Sequence, residues 1–153
     1  MSSEYCICPP KLTSLEGDGP TKVTVKSSHH QKKAVEVISK HFRREMNYST
    51  VQFSAKEKEN DLDFTPYEAY LFHKERYNLI HQYKPNEVVC LGGCCFYKNN
   101  ETWDLHWVWI HPYFRNRGIL SELWPKFIQK YGNFGIEEPI SLQMQKIINK
   151  FTT

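Results

Sequence analysis

The chain is 153 residues long, enough for one domain with a sizeable core, and its 40% hydrophobic and 24% charged residues are ordinary globular values that exclude wholesale disorder. A net charge of +3 without a clustered basic face argues against nucleic acid as a partner. No run approaches the ~18 apolar residues of a membrane span, the N-terminus has no apolar signal core, and three of five cysteines sit in an apolar run. The expected setting is the cytoplasm, with the nucleus left open.

Residues 1–20 hold Pro9, Pro10, Gly17, Gly19 and Pro20 with no sustained period and read as an irregular arm; residues 21–153 are then a single domain. Cys6 and Cys8 are spaced more tightly than the C-x2-4-C of common zinc sites, so no metal is expected even if His29 and His30 are counted with them. Residues 22–26 alternate as a short strand, and Ser27 or Ser28 supplies the next N-cap. Ala34, Val35, Ile38, Phe42 and Met46 recur at helical spacing, which predicts a helix over 29–46 with its Lys and Arg on a solvated face. Residues 49–66 are polar, with a charge run from Lys56 to Asp63. They read as a loop with a short helix, a suitable place for a substrate-facing segment.

Residues 67–73 are strand-like, and 74–84 fit either period. Residues 88–97 form a continuous apolar run in which Gly92-Gly93 point to a bulge or a close backbone approach. A turn at 98–101 joins it to the next strand as a hairpin. In that strand Trp103, Leu105, Trp107 and Trp109 fall on one face, and Asp104, His106, Val108 and Ile110 on the other. Pro112 stops the ladder, because it has no N–H to donate. Arg115, Asn116, Arg117 and Gly118 then lead into a helical stripe of Ile119, Leu123, Phe127 and Ile128, with Pro125 expected to kink it and Gly132 to cap it. A strand, a basic glycine-containing loop and a helix N-terminus make a cradle for phosphate, through free N–H groups and the helix dipole. Residues 133–136 are a short strand candidate. Ser141 caps a last helix with Met144, Ile147, Ile148 and Phe151 on one face.

Residues 110–119, IHPYFRNRGI, resemble motif A of the GNAT N-acetyltransferases, in which a strand ending V/I-x-P-x-x leads into R/Q-x-x-G-x-G/A. Arg115 and Gly118 match its fixed positions, while Leu120 stands where a small residue is usual. The resemblance covers roughly residues 21–151. It implies an α/β (α+β) fold with a mixed, mostly antiparallel sheet flanked by helices. That sheet would be shortened at the C-terminus, since two strands found in many members do not follow the last helix. Residues 137–141, EEPIS, more distantly resemble the segment after the fifth strand of the cohesin-type (Eco/ESCO) acetyltransferases, with Glu138 as the matching acid; the zinc finger of those enzymes is not recognisable.

The resemblance implies acetyl transfer from acetyl-CoA to a primary amine, on a protein or a small molecule. Asn116, Gly118, Ile119 and Leu120 would offer N–H groups to the cofactor's pyrophosphate, with Arg115 and Arg117 adding charge. The pantetheine arm would run along Trp109 and Ile110 as an added strand. The thioester is already activated, so the chemistry needs positioning and a general base rather than a nucleophile. His106 is the first candidate, its ordinary pKa of ~6.5 suiting base work at neutral pH. Glu138 and Asp104 follow, with Ser141 orienting substrate or relaying a proton. The alternative is a catalytically inactive CoA-binding or protein-interaction module. An acceptor cleft without the C-terminal hairpin would stand open to a protein lysine, or be closed by a second copy in a homodimer.

Overall fold

A computed structural model describes residues 17–49, 53–76, 87–137 and 142–151; Cys6, Cys8, Glu138, Ser141 and most of the ambiguous stretch 74–84 lie outside them. The described strands form one sheet in chain order: β1 (Thr21–Val23), β2 (Tyr67–Arg76), β3 (Glu87–Asn99), β4 (Thr102–Ile110) and β5 (Gly135–Ile136). Helix α1 (His29–Met46) links β1 to β2, α2 (Ile119–Tyr131) links β4 to β5, and α3 (Leu142–Phe151) follows β5. The first three pairings are antiparallel. β4 and β5 run parallel, which requires the crossover that α2 supplies. The result is the mixed, mostly antiparallel sheet flanked by helices that the family resemblance implies.

Ser28 starts α1, its hydroxyl accepting the Gln31 N–H at 3.2 Å, and Asn47 ends it in the left-handed region at φ 58, which asparagine tolerates better than most residues. β1 stops at Val23 rather than Lys26 because the Ser27 hydroxyl takes the Thr24 N–H at 2.9 Å and turns the chain. The expected short helix in 53–66 is absent from the described residues. Local bonds such as Lys58 N–H to the Asp61 carboxylate, 2.9 Å, satisfy that backbone as turns instead.

The sheet separates two apolar clusters. One lies under α1 and includes Val35, Ile38, Phe42, Leu71, Trp107 and Trp109. The other lies under α2 and α3 and includes Phe72, Phe96, Leu105, Trp124, Phe127 and Met144. The simple alternation of β4 does not survive this arrangement. Cys95 pairs with Trp107 and Phe96 with Leu105, so His106 is an extra residue with no partner. One extra residue reverses a period of two, and Trp103 and Leu105 therefore pack toward α2 while Trp107 and Trp109 pack toward α1. The tryptophan stripe is split by a bulge.

A second bulge falls at Leu91, between the pairs Phe72–Gly92 and His73–Cys90. A methyl group at the adjacent Gly92 would run into the Trp109 carbonyl. The glycine pair thus marks both a bulge and a close approach, as the sequence pattern indicated. Cys90, Cys94 and Cys95 are buried and free, with burial pushing the Cys90 thiol up to about 12 and the others well above their ordinary value. They are packing residues, not nucleophiles. Among the described residues no helix is long and apolar enough to cross a membrane.

Candidate active site

At the C-terminal end of β4 the chain makes one 3-10 turn over Pro112–Phe114, capped by His111, whose Nδ1 accepts the Tyr113 N–H at 3.1 Å. It then turns through Asn116 and Gly118, both in the left-handed region at φ 62 and 81, and enters α2. Gly118 is the N-cap of α2 and has no side chain with which to cap it. The N–H groups of Ile119, Leu120 and Ser121 therefore open the helix without a side-chain partner, where the dipole favours an anion. The Leu120 side chain packs into the α2 cluster. Its departure from a small residue is thus absorbed on the core side.

A cavity of about 350 Å³ opens at this helix end. Trp109, Ile110, Arg115, Asn116, Gly118, Ile119 and Leu120 all border it, so seven of the eight expected cofactor residues meet at one place. Arg117 is the exception: its guanidinium sits 5.1 Å from the Tyr113 ring centre and faces a different cavity. Helices α1 and α3 also contribute to the wall, through Phe42, Glu45, Lys146 and Ile147 among others. Nothing in their local sequence marked these residues. They are brought in by helix packing, and a spacing argument confined to one element has no access to that.

Arg115 is already committed within the protein. Its guanidinium makes two contacts with the Glu45 carboxylate, at 2.7 and 2.8 Å, and its Nε donates to the Ile110 carbonyl at 2.7 Å. It staples the loop to the last turn of α1. Lys146 is then the additional cation bordering the cavity.

The edge of β4 beside this cavity is open. β5 pairs with β4 only at Asp104 and Leu105, with one further bond from Glu137 N–H to the Leu105 carbonyl at 2.9 Å. Among the described residues no strand pairs with that edge from Trp107 to Ile110. Where the two strands part stands the bulge residue His106. Its Nδ1 lies 2.7 Å from a carboxylate oxygen of Glu137, and the Tyr97 ring lies beside it, tilted by 50°, at 4.4 Å. Both His106 and Glu137 are partly open to solvent. Asp104 is held by the Asn99 amide at 3.3 Å, and a side chain at Gly135 would collide with it. The sequence pointed to the acid at 138; the described acid in contact with His106 is its neighbour Glu137.

His106 and Ile110 are four residues apart, about 13 Å along an extended strand. An anion site, an open strand edge and a histidine–carboxylate pair are therefore set out in a line along β4. A larger cavity, about 920 Å³, lies against the other side of α2 between Asp18, His73, Lys74, Glu75, Glu122 and Lys126. It borders neither His106 nor Glu137, and its charges are mixed in sign. No curated protein matches the sequence. The acetyltransferase (GNAT) family matches residues 39–150, from within α1 almost to the end of α3, and the chain belongs to that family.

Proposed function

We propose that the protein transfers the acetyl group of acetyl-CoA to a primary amine by direct attack, with His106 as general base and Glu137 as the residue that positions it. The observation that carries this reading is the 2.7 Å contact between His106 Nδ1 and Glu137 at the point where β4 and β5 part. A carboxylate on Nδ1 keeps that nitrogen protonated and turns the Nε2 lone pair toward the acceptor. Nε2 takes one proton from the ammonium and later gives it to solvent; the freed amine forms its C–N bond to the thioester carbonyl, and the C–S bond breaks as the nitrogen's surplus proton passes to sulfur, releasing the thiol. When bound, acetyl-CoA supplies the activated acyl group. The N–H groups of Ile119, Leu120 and Ser121 would hold its phosphates, with Lys146 adding charge. The open edge at Trp109 and Ile110 would receive the pantetheine arm. Arg115, paired with Glu45, keeps the loop in place. Asp104 adds negative charge that attracts an ammonium, and Glu138 with Ser141 follow Glu137 in the chain as reserve candidates for proton relay.

The test is acetyl-CoA turnover on a panel of amines, together with calorimetric titration of CoA. Gly118→Asp places a carboxylate where the phosphates bind; nothing crowds the added side chain, and the positive φ costs about 1–2 kcal/mol. The variant should fold and lose CoA binding. His106→Gln should bind CoA and lose about a hundred- to ten-thousand-fold in kcat. Tight CoA binding without turnover on any amine would instead favour a catalytically inactive CoA-binding module. Equal behaviour of the wild type and Gly118→Asp in both assays overturns the reading.

A further inference from the structure

Side chains on a sheet are held in place largely by their cross-strand neighbours, and a bulge residue has no such partner. His106, the extra residue of β4, therefore depends on other contacts for its orientation. Glu137 meets its Nδ1 at 2.7 Å, and Tyr97 of β3 lies against its ring with centres 4.4 Å apart and planes tilted by 50°. The carboxylate fixes one atom of the imidazole and leaves the ring free to swivel about that contact. A second ring packed beside it blocks the swivel. Tyr97 is itself held. It pairs opposite Tyr67 in the β2–β3 register with ring centres 5.9 Å apart, and Phe53 and Phe64 meet Tyr67 edge-on at 5.0 and 6.4 Å. Phe53 and Tyr67 are buried in the cluster under α1, so the row ends in the core. Tyr97 does not border the cavity at the N-terminus of α2.

We propose that Tyr97 is a positioning residue for the base: its ring holds the His106 imidazole so that, with Nδ1 on Glu137, Nε2 is kept aimed at the acceptor amine. This rests on the reading of His106 as the base. Tyr97 acts through the shape of its ring and not by proton transfer. Burial pushes its hydroxyl well above the ordinary value, which makes it a poor acid toward a departing thiolate. Orientation matters because a general base must lie within hydrogen-bond reach of the proton it takes, and a misplacement of ~1 Å costs on the order of a hundredfold in rate. The base is thereby braced from the core under α1, independently of the loop proposed to hold the cofactor.

The test uses the full chain with Tyr97→Phe and Tyr97→Leu, read by acetyl-transfer kinetics and by nitrogen NMR of the histidine rings. Tyr97→Phe keeps the ring and should keep the wild-type kcat. Tyr97→Leu should lower kcat about ten- to a hundredfold with KM for acetyl-CoA unchanged, because the cofactor cavity is untouched. In the wild type, neutral His106 should show one tautomer, protonated at Nδ1, and nuclear Overhauser contacts between its ring and that of Tyr97; in Tyr97→Leu the two tautomers should mix. Wild-type kcat in a folded Tyr97→Leu, or an equal loss in Tyr97→Phe, keeps the base reading and overturns this one. A wild-type His106 that averages between tautomers or lacks the ring contact overturns it even where Tyr97→Leu does not fold. No turnover in the wild type, or full turnover in His106→Gln, removes the base itself and overturns both.

Discussion

His41 shows how a single side chain ties the cofactor wall to pH. Its ring stacks on Trp109 at 5.0 Å, and burial, followed by the charges of Arg44 and His111, holds its pKa below the ordinary 6.5. The folded state therefore takes up a proton less readily than the unfolded one. Its contribution to stability is complete above pH 6.5 and is lost as pH falls from there through the lowered folded pKa. Urea unfolding of His41→Gln on either side of pH 6.5 should show a weaker acid dependence than the wild type; an unchanged slope would mean that other groups set it. Glu57 has the opposite sign. A carboxyl pushed up by burial favours the folded state only when protonated, so Glu57→Gln should unfold no more easily than the wild type at neutral pH.

Among the elements, β4 carries the irregularity on which the proposed base stands. The extra residue at His106 swaps the faces of the strand and leaves the histidine at its unpaired point. Deleting His106 should not yield an enzyme that merely lacks a base. It would move Trp103 and Leu105 from the α2 side to the α1 side, exchanging a matched set of core residues for a mismatched one. The expected result is an expanded or insoluble protein, read by near-UV circular dichroism and gel filtration, whereas His106→Gln should keep the wild-type signal. A deletion variant with native near-UV dichroism would show that the bulge is dispensable for the fold. Helix α2 is irregular in its own way. Pro125 sits in its second turn without an N–H, yet Leu123, Trp124 and Phe127 bury its apolar face and keep the helix together.

For the whole molecule, the sheet acts as a partition between two apolar clusters of the described residues. Ile38 of α1 and Phe127 of α2 are both buried and belong to different clusters. Truncating Ile38 to Ala should cost about 2–5 kcal/mol and Phe127 to Ala about 3–5 kcal/mol. Since the two side chains share no cluster, their effects should add to within about 0.5 kcal/mol, measured by chemical denaturation at a temperature where the singles still fold. A coupling well beyond that would mean that strain crosses the sheet.

The sequence by itself determined the elements and pointed to the helix end proposed to hold the cofactor. Helical spacing from Ala34 to Met46 placed α1, and Ser28 began it. The run Arg115 to Gly118 after a proline-terminated strand marked the anion site, because its chemistry is backbone N–H groups and a helix end, all local in the chain. What needed the tertiary structure was everything that depends on two elements meeting. Glu45 and Lys146 reach the cofactor cavity from α1 and α3. Glu137 reaches His106 across the parallel pairing of β4 and β5. Phe53 and Phe64 reach Tyr67 of β2 from the loop after α1. The bulge at His106 was hidden for a related reason. A period of two in one strand reads the same with or without an extra residue, and only the register against β3 reveals which face each tryptophan takes.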